Sequence, residues 1–288
     1  MRRFSIVIAV AAALLPAAAA AQTCSPDKNS NEARLFAHYM VPLAYDAAEA
    51  PLIYPLASMR LGVEAAYVPD AGADILVPTV CQPGQGPLNT NLQHVLVRPR
   101  LLLSGQHGLF LEVSWVPPVS VNGVKSNLFG IAAGRSAATG KNGLARIRAF
   151  AAFGSVKGPF TCSEASITDP NDPVCQGGQV SSDKFKPNMF GADLSLAQAM
   201  ANHHLVPYIG IGVTFLRPRF EVNHTDASDI TDHTKISVNM TRFTAHGGLS
   251  WLPSQRVILS AEAYSAPSDG VTGRFMLSWV FRAGKPGK

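Results

Sequence analysis

The stretch of this chain best equipped for chemistry is an acidic, histidine-containing loop, "HTDASDITDHT", which begins at His224. Carboxylates and imidazoles so close together could ligate a divalent cation or act as general acid and base. Their spacing matches no defined calcium loop, and a solvated polar loop has the same composition. We therefore retain Asp226, Asp229, Asp232 and His233 as weak metal candidates only, and predict no catalytic residue and no cofactor.

A second candidate is His246, which shares a predicted inward strand face with Arg242. A serine or glutamate partner would complete a hydrolytic dyad, but the chain has no G-x-S-x-G motif. A histidine hydrogen-bonded to its neighbours explains the position as well. The "GIG" at 210–212 is not followed by a helix, so it indicates packing or strand curvature and not a nucleotide loop. The sequence favours a protein without enzymatic activity and leaves the question open.

The elements that must position these residues are short strands bounded by turn signals. No apolar run after residue 21 approaches the roughly 20 residues that a spanning helix needs. Charged residues make up only 15% of the chain and the net charge of +5 forms no basic block, so nucleic-acid binding is not expected. The predicted strands lie near 58–68, 94–104, 109–117, 126–136, 144–156, 189–199, 205–217, 235–250, 256–266 and 271–282.

Most of these segments alternate between an apolar and a charged face, because successive side chains of a strand point to opposite sides. In 95–103, for example, Arg98 and Arg100 share one face and the other face carries no charge. The polar faces contain arginine and acids but few lysines, which favours an enclosed wet lumen over an open solvent face. The predicted lumen charge network is Arg60, Glu64, Arg98, Arg100, Glu112, Arg146, Arg148, Asp193, Arg242, Glu262 and Arg274.

The opposite faces are predicted to contact lipid, where an arginine at mid-depth would cost about 2–4 kcal/mol. Outward aromatic residues near strand ends, such as Trp115, Trp251 and Trp279, fit an interfacial girdle. A sandwich core would also collect aromatic residues and is the competing interpretation. Segment 235–250 changes face along its length, which predicts a bulge near Thr241.

The flanking segments and cysteines indicate export. Residues 1–21 have the charged start, apolar core and small-residue end of a signal peptide. Export permits disulfides, and we predict Cys162–Cys175, with Cys24 and Cys81 as a less certain pair. Residues 22–55 could be a plug, a short helix or an extra strand, and residues 283–288 a flexible basic tail.

The combination of a signal peptide, amphipathic strands, alternating loop lengths and the closing strand "VTGRFMLSWVF" resembles bacterial outer-membrane β-barrel proteins of a porin-like kind over residues 56–282. The tail "RAGKPGK" departs from the family habit of ending on an aromatic residue. The resemblance implies an all-β antiparallel up-and-down transmembrane barrel of about ten strands, with eight to twelve possible. It also implies an outer-membrane location, with the lipid bilayer and the barrel-assembly machinery as partners.

The expected function is a structural barrel or a narrow pore. Surplus arginine in the lumen would make such a pore prefer small anions. The alternatives are a surface adhesin or ligand-binding barrel that uses loop 157–188, a hydrolase at the outer rim, and a soluble periplasmic β-protein.

Overall fold

The computed structural model describes residues 22–53, 58–90, 93–200 and 204–282, so the predicted signal peptide and basic tail lie outside it. In the described residues, ten long strands form one closed antiparallel barrel, which confirms the predicted fold class. Each strand pairs with the next along the chain, and the last pairs with the first. The strands are β1 (Ser58–Tyr67), β2 (Val95–Ser104), β3 (Leu109–Val116), β4 (Val124–Ala138), β5 (Gly143–Gly158), β6 (Asp183–Gln198), β7 (Leu205–Glu221), β8 (Met240–Ser254), β9 (Val257–Ala266) and β10 (Gly270–Arg282).

The remaining elements are short. Helix α1 (Asn31–Leu43) is capped by the Ser30 hydroxyl, which accepts from the Ala33 amide at 3.2 Å, and α2 (Ala73–Leu76) is a single turn. None of the described helices is long and apolar enough to cross a bilayer. The other elements are 3₁₀ turns at Gln106–Gly108 and Ser166–Thr168 and two- or three-residue strands at Thr23–Cys24, Ser120–Val121, His224–Thr225, Thr231–Asp232 and Lys235–Ser237.

The connections alternate between the two ends of the barrel. One end, which we call the turn rim, carries the short connections 105–108, 139–142, 199–204 and 255–256. The other end, the loop rim, carries 68–94, 117–123, 159–182, 222–239 and 267–269, and three of these exceed 15 residues. Short turns at one end and longer loops at the other are typical of outer-membrane barrels.

The outer surface of the barrel is an exposed apolar belt. Ile147 and Phe275 are 63% and 67% exposed, although they lie in regular strands. Near the loop rim, Trp115, Phe129 and Phe153 stack side by side across three strands, with ring centroids 6.1 and 5.9 Å apart. Exposed apolar area on this scale marks a surface that contacts another apolar phase. The aromatic residues near the turn rim are Trp251, Trp279 and Phe281.

The predicted bulge near Thr241 is wrong. Strand β8 pairs with β7 without interruption from Met240–Leu216 to Trp251–Leu205, and its irregularity lies between Trp251 and Ser254 against β9. Ile236 belongs to the separate strand Lys235–Ser237. Ile236 and Met240 are buried inside the barrel because the interior is apolar near the loop rim. The apparent change of face therefore reflects a change in what fills the lumen.

The lumen is filled by the N-terminal segment. Helix α1 lies inside the loop rim, where Phe36 packs against Phe185 and Phe220. Residues 44–53 continue without helix or strand, through a positive φ at Ala48, towards the turn rim, where β1 begins. The Cys24–Cys81 disulfide fixes the start of the segment at the loop rim. We call residues 31–53 the plug.

Both disulfides expected from the sequence are present, Cys24–Cys81 and Cys162–Cys175. The second staples the loop between β5 and β6, where both cysteines are fully buried. The first closes a covalent loop that contains the plug and β1.

Candidate functional site

The plug is held in the lumen by hydrogen bonds from wall arginines to its main chain. The last turn of α1 leaves carbonyl groups without helical partners, and the chain after it has no strand partner, so these buried carbonyl groups need other donors. Each of five inward guanidinium groups supplies at least one, at donor–acceptor distances between 2.7 and 3.2 Å. In chain order, Arg274 donates to Val41, Arg98 to Leu43 and Ala44, Arg148 to Tyr45, Arg100 to Ala47, and Arg146 to Glu49.

The same arginines pair with carboxylates of the wall. Arg100 donates to Glu64 at 2.7 Å and to Glu112 at 2.8 Å, and Arg148 donates to Asp193 at 2.9 Å. All of these side chains are at most 5% exposed. Charge-assisted hydrogen bonds in a medium of low dielectric are strong, but each ion left without its partner there is costly.

Two carboxylates of the plug complete the charge balance. Asp46 accepts from Arg148 at 3.1 Å, and Glu49 pairs with Arg60. Asp183, at the loop-rim end of β6, is occupied by the amides of Thr161 and Asn223. Without Asp46 and Glu49, the rest of the buried wall of the described barrel has two more arginines than carboxylates. The wall groups are Arg60, Arg98, Arg100, Arg146, Arg148 and Arg274 against Glu64, Glu112, Asp193 and Glu262.

Arg242, which was predicted to belong to this network, lies apart from it. Its side chain is 18% exposed near the loop rim, and its Nε donates to Asp269 in the β9–β10 connection at 2.6 Å. The other ten predicted network residues are buried inside the barrel.

Tyr45 occupies the centre of the arginine cluster. Its ring centroid lies 4.7 Å from the guanidinium carbon of Arg100, 5.4 Å from that of Arg98 and 5.7 Å from that of Arg148. A guanidinium within about 6 Å of an aromatic face is attracted by the ring quadrupole. A Cβ on Gly130 would lie 2.9 Å from this ring, so the glycine gives the tyrosine its space.

His246 links the plug to the wall in a Ser–His–Asp arrangement. Its Nε2 lies 3.0 Å from the Ser195 hydroxyl, and its Nδ1 lies 3.2 Å from a carboxylate oxygen of Asp46. All three residues are at most 6% exposed beneath the plug, and the plug itself supplies the aspartate. A substrate could reach the serine only if the plug moved, which would remove the aspartate. In this arrangement the His246 ring bridges the wall and the plug.

Among the described residues, one group has the spacing of a metal site: Asp46, His246 and Glu262, whose donor atoms lie within 4.8 Å of one another. The Arg148 guanidinium donates to the same Asp46, so a cation there would face a fixed positive charge. Two of the weak metal candidates in the loop hold local turns, and Asp232 does so by accepting the amide of Thr234. Asp226 accepts the amides of Ser228 and Ile230, and so closes its own turn.

On the loop-rim side of the charged network, the plug and the wall line a partly open apolar cavity of about 110 Å³. Helix α1 lines one side with Phe36, Tyr39 and Leu43, and the wall lines the other. No charged side chain contributes to this lining. The wall and loop residues include Leu88, Leu96, Val124, Ser126, Val156 and Phe185.

Sequence reasoning missed the plug carboxylates and Tyr45. The available signal was the segment "AYDAAEAP", in which two acids stand among small apolar residues, together with the arginine surplus of the predicted lumen.

The sequence matches no family profile and no curated protein. Among solved structures, the barrel is similar to Ail, the attachment invasion locus protein of Yersinia pestis, at 10% identity and a TM-score of 0.32, over 79% of this chain and 100% of that one. It is also similar to the N-terminal β-barrel domain of Pseudomonas aeruginosa OprF, at 8% identity and a TM-score of 0.28, over 78% and 98%. The Acinetobacter baumannii outer membrane protein Omp33 has 8% identity and a TM-score of 0.28, over 79% and 98%. Similarity at this level does not identify what this chain binds.

Proposed function

We propose that this chain is an outer-membrane barrel whose lumen is closed by its own N-terminal plug. Two features support the location: a closed sheet leaves no strand edge unpaired in lipid, and the outward faces form the apolar belt that a bilayer covers. Such a belt would aggregate in water, which argues against the soluble periplasmic alternative. Insertion by the barrel-assembly machinery is part of this proposal.

The observation that carries the closed state is the series of arginine–carbonyl hydrogen bonds from Val41 to Glu49. Because they bind the main chain along the length of the lumen, we infer that the resting barrel is closed and acts as a structural barrel. Ion conduction requires the plug to move.

The location is tested by cell fractionation combined with gel mobility before and after heating. A folded outer-membrane barrel resists detergent until it is heated and then changes mobility. We expect this chain to be recovered with the outer membrane and to show that shift. Recovery in the soluble periplasmic fraction would contradict the proposal.

The closed state and an anion preference are tested together in planar bilayers. Asp46→Asn combined with Glu49→Gln leaves the two surplus arginines unbalanced and weakens the hold on the plug. We expect the wild type to be nearly silent and the double variant to show openings that favour chloride over potassium. Glu164→Gln, in an exposed loop, is the matched control and should stay silent. A wild type that conducts steadily would refute the closed state. Openings that favour potassium would refute the anion preference.

The cavity favours a second candidate function, the binding of a small uncharged hydrocarbon molecule. An engineered apolar cavity of roughly 150 Å³ stays dry and binds benzene, so a volume of 110 Å³ lined in this way is within reach of a comparable ligand. The ligand would touch both the plug and the wall, and its binding would depend on the plug being in place.

This candidate is tested with fluorobenzene and fluorine NMR on the protein in nanodiscs. Ser126→Leu and Val156→Phe each add atoms into the cavity and should abolish saturable line broadening. Ala133→Leu, which adds the same kind of bulk to the outward face of β4, should leave it unchanged. Equal broadening in the wild type and both filled variants would rule out this site. It would mean that the broadening comes from fluorobenzene dissolved in the lipid.

A further inference from the structure

A row of like charges crosses the outer surface of the barrel next to the loop rim. Lys125 of β4 lies directly opposite Lys157 of β5, and Lys157 lies directly opposite Lys184 of β6. Lys184 in turn faces Glu221 of β7, which faces Lys235 of the neighbouring short strand. Four lysines and one carboxylate therefore occupy one outward row across five adjacent strands.

A second basic row lies on the same outward surface, one step further from the loop rim. Lys186 of β6 faces Arg219 of β7, and Asn188 faces Arg217 one step further down. The Arg217 guanidinium lies 5.1 Å from the Phe190 ring centroid, so the basic surface joins the outward aromatic residues. We call this surface the basic patch; it consists of Lys125, Lys157, Lys184, Lys186, Arg217, Arg219 and Lys235.

Among the described residues, the patch makes one ion pair: the Glu221 carboxylate accepts from Lys186 at 2.5 Å. Like charges directly opposite each other across two strands destabilise a sheet. Three consecutive strands nevertheless place lysine opposite lysine. A surface that retains this repulsion is suited to an anion that bridges the ammonium groups.

The position of the patch selects the source of that anion. Its side chains point away from the lumen, on the same outward faces as the apolar belt, and begin one step beyond Phe190 and Phe215. Outward aromatic rings at strand ends mark the depth of lipid headgroups. Along the strands, the basic rows lie roughly 7–20 Å beyond these rings at about 3.3 Å per residue, which a strand tilt of about 45° reduces to roughly 5–14 Å of depth.

We propose that the basic patch binds the phosphate groups of anionic lipid headgroups in the leaflet at the loop rim. The phosphates would lie between neighbouring lysines, and the acyl chains would continue down the apolar belt past Phe190. The proposal rests on the proposed membrane location, because only a bilayer presents headgroups at that depth.

The test uses purified, folded protein in a zwitterionic detergent, with phosphorylated lipid A as the probe and native mass spectrometry as the readout. The patch variant is Lys125→Gln/Lys157→Gln/Lys184→Gln. The matched control, Arg135→Gln/Lys141→Gln/Arg256→Gln, removes the same charge from the turn-rim end. We expect the patch variant to lose at least tenfold in affinity and the control to stay within twofold. Dephosphorylated lipid A should bind all three proteins alike.

A second readout uses the repulsion itself. In detergent without lipid A, the patch variant should unfold at a temperature equal to or above that of the wild type, because like charges have been removed. On addition of lipid A, the wild type should gain thermal stability and the variant should not. Should the triple variant fail to fold, Lys157→Gln alone tests the same row.

Three results would overturn the proposal: unchanged affinity in the patch variant, an equal loss in the control, or displacement of lipid A by an equal concentration of inorganic pyrophosphate. The last would make the ligand a free phosphate. Fractionation outside the outer membrane with intact lipid A binding would refute the proposed location alone. Outer-membrane recovery without binding would refute this inference alone.

Discussion

At the residue scale, the Arg148 side chain binds both the wall and the plug. It donates to Asp193, to Asp46 and to the carbonyl of Tyr45. Replacing it with leucine would leave two buried carboxylates short of a partner, a defect that typically costs 3–5 kcal/mol. We expect Arg148→Leu to lower the free energy of unfolding in lipid by about that amount, measured by urea titration. Arg256→Leu, in the exposed β8–β9 turn, should change it by less than about 0.5 kcal/mol.

A second residue-scale prediction concerns Gly210. A Cβ there would lie 2.1 Å from Nε2 of His246, while a Cβ on Gly273 would meet no atom within 4 Å. Gly210→Ala must therefore displace the histidine that lies between Ser195 and Asp46, and overpacking of this kind costs about 1–3 kcal/mol. We expect a lower thermal midpoint for Gly210→Ala and an unchanged one for Gly273→Ala. Equal midpoints would show that the histidine is not held in place.

The sequence predicts some residues of the site and not others. The inward positions of Arg98, Arg100 and Arg148 follow from two-residue alternation, which a sequence displays directly. The partners of these residues in the plug do not, because Asp46 and Glu49 lie in a segment without periodicity. In the sequence, only charge balance links these two acids to the wall. A surplus of arginine does not predict them, because water in the lumen could also solvate the surplus.

At the element scale, helix α1 is tied to the first loop through Glu32. This carboxylate accepts the amides of Thr79, Val80 and Cys81 at 2.7–2.9 Å. Burial acts to raise the pKa of Glu32, but the amides of Cys81, Val80 and Thr79 lower it more, so its pKa lies below the ordinary value. A lowered pKa in the folded state stabilises the protein above the unfolded pKa of about 4.3, and this contribution is lost as the pH falls further.

We therefore expect Glu32→Gln to lower the free energy of unfolding only where Glu32 is ionised in the wild type. The difference in unfolding free energy between the wild type and Glu32→Gln should be largest above about pH 5 and shrink steadily towards pH 3. Denaturant titrations across that range measure it. Glu164→Gln, in an exposed loop, should show no such trend; a pH-independent difference would mean that the amide contacts do not depend on the ionised form.

Strands were more predictable than their ends, for a physical reason. Period-two alternation identifies a strand wherever one face meets lipid and the other meets charge, as in β1, β2 and β10. It fails near the loop rim, where the pattern is inverted: inward side chains such as Phe185 and Met189 are apolar because α1 packs inside, and outward ones such as Lys184 are charged. Strand β6 accordingly begins at Asp183 and not near 189, and Ile236 and Met240 were read as a change of face.

At the scale of the whole molecule, the outer belt predicts how substitutions depend on depth. Ile211, midway along β7, is 58% exposed, and Ile230, in a loop at the loop rim, is 65% exposed. An arginine at mid-depth on a lipid-facing strand costs about 2–4 kcal/mol. We expect Ile211→Arg to lose that much stability in lipid vesicles and Ile230→Arg to lose almost none. Equal effects would mean that the belt does not lie in hydrocarbon.

The bridge between Cys24 and Cys81 also constrains the chronology of biogenesis. The strands that meet at the final seam, β1 and β10, are the first and the last along the chain, and the plug precedes both. Oxidation in the periplasm would tie the plug to the far end of β1 before any bilayer is entered. The first strand would then reach the membrane inside a disulfide-closed loop that already contains the plug.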